Sequence, residues 1–318
     1  MKQQTFEKQH QQQWTQLETW LNDIEKNKHK PLAQFPSLYR QVCHHLALAR
    51  DRHYTPNLVE RLNRLVLKGH QHLYTSRYHF WTSVLHFLSM TFPTTVRQNA
   101  QFVLLSGLLF FAPLFTVFTI IQYHPDFIYY FLDGQQVSDV EYMYNPETKN
   151  LGWTRAADDD FSMFGFYIRN NISIGFQTFA SGLLFGLGSI FYLVFNGLFI
   201  GAIAGHLTHI GYTVPFFSFV SGHSALELTA IVLAGAAGLK LGFALISPQR
   251  YSRLQSLKLA AQNSIHLVYG VIIMLLFAAF VEAFWSSTTD VLPIIKYTVG
   301  IILWLLVIIY FFLVGYKR

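Results

Sequence analysis

The sequence predicts an all-α polytopic membrane helix bundle, four full spans plus a re-entrant helical hairpin, preceded by an N-terminal cytosolic helical bundle. Three observations predict it. The 318 residues are 52% apolar and only 13% charged, with a mean hydropathy of +0.29, whereas a globular chain is about 25% charged. Of the 23 Lys and Arg, 13 lie in residues 1–100, and none lies in 98–125 or 170–239. Apolar stretches of that length without a basic residue read as membrane spans, because ~20 helical residues cross the ~30 Å hydrocarbon core. The single cysteine, Cys43, excludes an internal disulfide framework and a cysteine-cluster zinc site. The polar start MKQQTFEKQHQQQ has no apolar core of the signal-peptide kind. Residues 1–97 are therefore expected in the cytosol and 98–318 in the membrane, with an acidic outer loop at 123–171.

In the amino-terminal region, Phe6, Trp14, Leu17, Leu21 and Ile24 stand near heptad spacing, the pattern of an amphipathic helix with one buried stripe. Pro31 is expected to end it. A second helix is expected from Pro36, carrying Leu38, Val42, Leu46 and Leu48 towards Arg52. A third follows Thr55 as N-cap and Pro56 at the first helical position, with a seam of Leu58, Leu62, Leu65, Val66 and Leu73. Short loops between them predict a small antiparallel bundle. The segment HFWTSVLHFLSMTF, residues 79–92, is apolar but too short to cross, and reads as an interfacial helix ended by Pro93. A fourth bundle helix is the alternative.

The first span is expected at about 100–122, with Pro113 inside it. The loop 123–171 holds eight acidic residues against Lys149, Arg155 and Arg169, a net of 3 − 8 = −5, and belongs outside the cytosol. A second span is expected over about 173–205, turning at HLTHIGYTVP, residues 206–215. Counting one span for 216–247 would put Arg250, Arg253, Lys258, Lys317 and Arg318 outside, against the positive-inside bias. Two legs restore it: a short re-entrant half-helix to about Gly222 and a longer leg from about Ser224. Spans at about 264–285 and 294–315 complete the chain, and Asp290 falls outside.

Chemistry is sparser. Gly197, Gly201 and Gly205, then Gly235, Gly238 and Gly242, recur near every fourth residue, which lets helix backbones approach closely. Intramolecular packing is the leading reading and a homo-oligomer interface the other. Ionisable residues inside spans cost several kcal/mol unless paired or wet. His223 and Glu227 are four apart and share one helical face where the half-helix ends, with Lys240 and Glu282 further along. They satisfy broken helix ends or form an ion or proton path, with an intramembrane catalytic or metal site as the remaining alternative, and Asn196 joins them as a polar core position. Two enzyme patterns are near misses. GHSA at 222–225 is similar to the serine motif of rhomboid proteases, but a serine adjacent to a histidine is not an activated nucleophile, and the glycine spacing after His266 is wrong. HxxxE is not HExxH. His206 and His209 read as solvated loop residues. No catalytic set, cofactor or metal site is expected, and the formal charge of +6 reflects the positive-inside bias rather than a nucleic-acid partner.

GHSALELTAIVLAGAAGLKLG at 222–242, with NGLFIGAIAG at 196–205, FPSLYRQVCHHLALAR at 35–50 and LVLKGHQHLY at 65–74, resembles the stage II sporulation protein M family of bacterial membrane proteins. The positions that match are Asn196, Gly197, His223, Glu227 and Gly242. The resemblance implies a bacterial multi-pass membrane protein, and the positive-inside bias puts both termini in the cytosol. Its sporulation member is the membrane component that works with peptidoglycan-degrading enzymes. The long amino-terminal bundle and acidic loop place this chain with the non-sporulating branch. The leading expectation is thus a non-enzymatic protein that organises envelope-maintenance partners in the lipid bilayer. The alternatives are an ion, proton or small-solute channel or transporter using His223 and Glu227, and an intramembrane hydrolase.

Overall fold

The alternation of apolar and polar residues in the first 74 positions is that of helices with one covered face, and the computed structural model builds three of them. It describes residues 2–25, 34–74, 80–147, 157–288 and 291–316. α1 (Gln3–Glu25), α2 (Phe35–Asp51) and α3 (Pro56–Tyr74) run up, down and up. Trp14, Phe6, Leu17 and Leu21 meet Phe35, Val42, Leu62 and Leu65 in one core. Trp14 Nε1 donates to His45 Nδ1 at 3.2 Å, so the indole is buried with its donor satisfied. Thr55 precedes α3 as expected, and its hydroxyl accepts from Gln3 Nε2 at 2.8 Å. Pro31 and the side chains of Ile24 and Leu73 lie outside the described residues. The chain divides into two compact units, Met1–Phe80 and Trp81–Arg318.

Among its described residues the second unit is built of helices joined by short turns. It begins with α4 (Phe80–His86), a π-helical turn at Phe87–Thr91 and α5 (Phe92–Gln98). The helical course therefore continues through Pro93, which sits in the first turn of α5 and needs no hydrogen bond there. Trp81 is exposed, while Phe92 is buried against Gly270 and Phe311 of the membrane helices. The segment is thus no fourth helix of the amino-terminal bundle.

α6 (Ala100–Tyr123) leads to a 3₁₀ turn at Pro125–Tyr130 and to α7 (Gly134–Tyr144), capped by Asp133 and Gln136 in a capping box. Then follow α8 (Ala157–Ala180), α9 (Leu187–His209), α10 (Thr213–Val220), α11 (Ser224–Ile246), α12 (Arg253–Val281) with a terminal π-helical turn at Glu282–Ser286, and α13 (Pro293–Leu313). Among the described residues, five helices are long and apolar enough to cross a membrane: Ala100–Tyr123, Leu187–His209, Ser224–Ile246, Arg253–Ser286 and Pro293–Leu313. α11 is the central one, 72% of its apolar window being enclosed against 11% for α13.

Two expectations are corrected. The second span does not run unbroken over 173–205: the chain turns at Ser181–Gly186, where Gly186 takes φ +83°, a left-handed conformation that glycine adopts without a Cβ clash. Periodicity had no contrast to mark this turn, because apolar residues flank it on both sides. The loop 123–171 is likewise not a loop throughout, since α8 begins at 157. α8 lies beside α12, with Gly175 against Leu275, and the turn that follows it meets α11 where Gly182 lies against Gly238.

Small residues set the distances between helices. On α9, Gly197, Gly201 and Gly205 face the backbone of α6 at Phe110, Leu114 and Phe118. On α11, Gly235 faces Ser106 and Leu193, Gly238 faces Ser189 and the Thr178 and Phe179 carbonyls, and Gly242 faces Gly186. A Cβ would be tight at Gly205 and would collide at the other five, so larger residues would force the helices apart. One side of the unit is closed by Arg97, whose Nη1 donates to the carbonyls of Phe311 at 2.8 Å and Val314 at 2.7 Å. Those are end-of-helix carbonyls that α13 cannot bond itself.

Candidate functional site

The break between α10 and α11 falls at Ser221, Gly222 and His223, where the chain is squeezed by two neighbours. Gly222 lies against Trp285 and Ser286, and Gly300 of α13 lies against Ser221. The close approach on both sides favours a glycine at each contact and turns the backbone so that His223 caps the start of α11. His223 is 4% exposed. Its carbonyl accepts from the Leu226 and Glu227 amides at 3.0 and 3.1 Å, which closes the first turn of α11.

Glu227 stands one turn on, and the i, i+4 relation brings its Oε2 to 3.7 Å from His223 Nε2. Glu282 reaches the same place from α12. There the helix widens into its π turn, a local change of pitch that often accompanies functional sites. Asn171 of α8 donates from Nδ2 to Glu282 Oε2 at 3.4 Å. His223 Nδ1 pairs with Ser286 Oγ at 3.0 Å. Among the described residues, His223, Glu227 and Glu282 are the one group of three His or carboxylate residues that could hold a metal ion, each offering a ligand atom within 4.8 Å of the others.

These groups open onto a cavity of about 780 Å³ with largely apolar walls, among them Phe111, Leu114, Phe216, Leu228 and Trp304. Tyr144 of α7 also lines it. Burial first, and then the neighbouring Glu282 carboxyl, push the Tyr144 hydroxyl above its ordinary range, so it stays protonated. If both carboxylates carried charge, their mutual repulsion would be about 3 to 4 kcal/mol at an effective dielectric near 20. The arrangement therefore favours any arriving positive charge. The fixed cation Lys296 does not supply it, as its Nζ donates to the carbonyls of Ser286 at 2.8 Å and Thr288 at 2.6 Å.

Of the polar core positions expected from sequence, His223, Glu227 and Glu282 converge, while the other two serve elsewhere. Asn196 Nδ2 donates to the Tyr192 carbonyl of its own helix at 2.7 Å. Lys240 Nζ donates to Asn99 Oδ1 at 2.7 Å. His206 is no solvated loop residue: α9 extends through His209, and buried His206 Nε2 pairs with Glu141 Oε1 of α7 at 2.7 Å. Ser224 Oγ accepts from Trp304 Nε1 at 3.4 Å, and His266 rests against Phe87. Sequence reasoning missed Asn171, Ser286, Lys296 and Tyr144. A signal existed for Ser286, which stands four residues after Glu282, and for Lys296, a lone cation in an apolar stretch.

The sequence model of one family, stage II sporulation protein M, matches residues 103–287, more than half of the chain and all three converging residues. That of a domain of unknown function, DUF8413, matches residues 4–75, the region of α1 to α3. No curated protein and no solved structure matches the chain.

Proposed function

Because the chain belongs to the stage II sporulation protein M family, and its converging acidic residues lie within the matched region, we propose that its membrane unit binds a small positively charged solute and passes it across a bacterial inner membrane. The observation that carries this is the meeting of Glu227, Glu282 and His223 at one apolar-walled cavity. A purely structural scaffold has no need of two carboxylates facing one another at membrane depth, where each costs free energy. A helix broken at the site, with its first turn aimed into the cavity, is the way many transporters build a binding place between helices. No catalytic step is assigned to it.

The same reading orients the protein. Arg97 clasps the end of α13, so an even number of crossings separates them, and α6, α8, α9, α11, α12 and α13 make six. α10 has eight residues, roughly 12 Å of helix, too short to cross. α8 thus supplies the crossing that sequence reasoning gave to a half-helix. Residues 1–97, 250–258 and the carboxyl terminus then face the cytosol, and 126–147 face outward. Asp290, Lys317 and Arg318 lie outside the described residues.

Reconstitution into liposomes tests the proposal, with indicators for protons, potassium and divalent cations inside. Flux above that of protein-free vesicles, lost in Glu227→Gln, is expected. Absence of any flux returns the weight to the scaffold reading, in which the amino-terminal bundle and α7, pinned by Glu141 and His206, dock envelope proteins.

A further inference from the structure

The donor set at the cavity is more selective than a generic acidic patch. Two carboxylates alone would suit a hard cation such as Mg²⁺, which prefers all-oxygen surroundings and keeps its waters. An imidazole nitrogen among them shifts the preference towards first-row divalent cations, which take nitrogen and oxygen together. His223 also carries the support that ligating histidines have. In the tautomer that carries its proton on Nδ1, His223 donates to Ser286 Oγ at 3.0 Å and turns the Nε2 lone pair towards Glu227 Oε2 at 3.7 Å. Asn171 holds Glu282 in the same way, donating to Oε2 at 3.4 Å. Both are outer contacts that orient a ligand rather than occupy it.

The three donors come from two helices and their ends: the first turn of α11 and the π turn of α12. A site of this kind is closed on the helix side and open on the cavity side, which leaves room for water or an exchanging ligand, as in zinc sites with three protein ligands. Lys296 Nζ is engaged by the backbone carbonyls of Ser286 and Thr288, and among the described residues neither Glu227 nor Glu282 has a Lys or Arg salt-bridge partner, so a cationic ligand would balance their charge.

We propose that His223, Glu227 and Glu282 form an intramembrane site for a first-row divalent cation of the zinc type, bound through one imidazole nitrogen and two carboxylates. This rests on the binding reading given above and names the class of solute.

Metal binding by the tag-free full chain in nanodiscs tests it, with Zn²⁺ as the probe and Mg²⁺ as competitor. One Zn²⁺ per chain is expected, with an X-ray absorption first shell of one nitrogen neighbour, the rest oxygen and no sulfur. Glu282→Gln should weaken binding at least tenfold, and Asn171→Ala, which touches no metal, by a smaller factor. Asn196→Ala is the control, with unchanged affinity. Gel filtration confirms that each variant is folded, and a variant that fails is replaced by Glu227→Gln. Sub-stoichiometric zinc, a shell with several nitrogens or any sulfur, equal affinity in the carboxamide variants, or displacement by millimolar Mg²⁺ would each overturn the assignment. Stoichiometric zinc without liposome flux would keep this site and overturn transport, and flux without zinc would do the reverse.

Discussion

Replacing Arg97 by leucine removes the clasp on α13. Two charge-assisted hydrogen bonds at 2.8 and 2.7 Å are lost, together with a guanidinium 4.7 Å from the centre of the Tyr316 ring. Hydrogen bonds to a charged donor contribute about 1.5 to 3 kcal/mol each, and an exposed cation–π contact about 0.5 to 1. Arg97 is only half-buried and water can reach the freed carbonyls, so the loss falls below the roughly 3.5 kcal/mol that the lower ends sum to, and about 2 to 3 kcal/mol is expected. That raises opening of the last turn of α13 roughly 30- to 150-fold. Hydrogen exchange of peptides covering 308–316, measured by mass spectrometry on the full chain in nanodiscs, reads it directly. Arg97→Lys should fall between the two, because one ammonium cannot reproduce the planar fork. Unchanged exchange in Arg97→Leu, or Lys and Leu variants that behave alike, would refute the reasoning.

Gly201→Leu should destabilise by about 2 kcal/mol or more, because its side chain has to enter the backbone of α6 at Leu114. Gly211→Ala, with open space around it but φ +88°, should cost about 1 kcal/mol from backbone strain alone. Thermal melts in detergent rank the two, and the reverse order would contradict the packing account. The amino-terminal bundle should weaken in acid. Burial, then the charges of His10 and His44, hold His45 at about 4 instead of 6.5. The unfolded chain therefore takes up a proton below pH 6.5 that the folded one refuses until about 4. Stability is complete above 6.5 and falls progressively between those values, by about 2 kcal/mol once partial solvation is allowed for. Protonation also removes the acceptor for Trp14. Hydrogen exchange of α2 peptides across that range, compared with His45→Gln, is the check, and a pH-independent profile would remove the effect.

How much of this was legible depends on contrast. In α1 to α3, apolar residues stand out against Gln, Lys and Glu, so Trp14, Val42 and Leu62 could be placed in a core from spacing alone. Within the membrane unit nearly every residue is apolar, and spacing no longer separates a helix from its interruption. Gly186, which turns the chain, stands in an unbroken apolar stretch with nothing beside it to mark the turn. α8 was hidden for the opposite reason, as its polar outer half looks like loop until Asn171 is seen bonded to Glu282. His223 and Glu227 were found together because they are four residues apart on one helix. Glu282 is 55 positions further on, since 282 − 227 = 55, and only tertiary packing joins them.

The π turn at Glu282–Ser286 carries a consequence for how such a protein changes over time. A π turn is an α-helix that has gained a residue without breaking. Deleting one residue there would restore ordinary pitch and swing everything on one side of it by about 100° relative to the other. Glu282 and Ser286 would then no longer face His223 together, although neither had been substituted. The site is therefore sensitive to insertions and deletions in a way that residue identity does not reveal. A relative that keeps the histidine and both glutamates but differs by one residue in this turn would have the parts without the assembly.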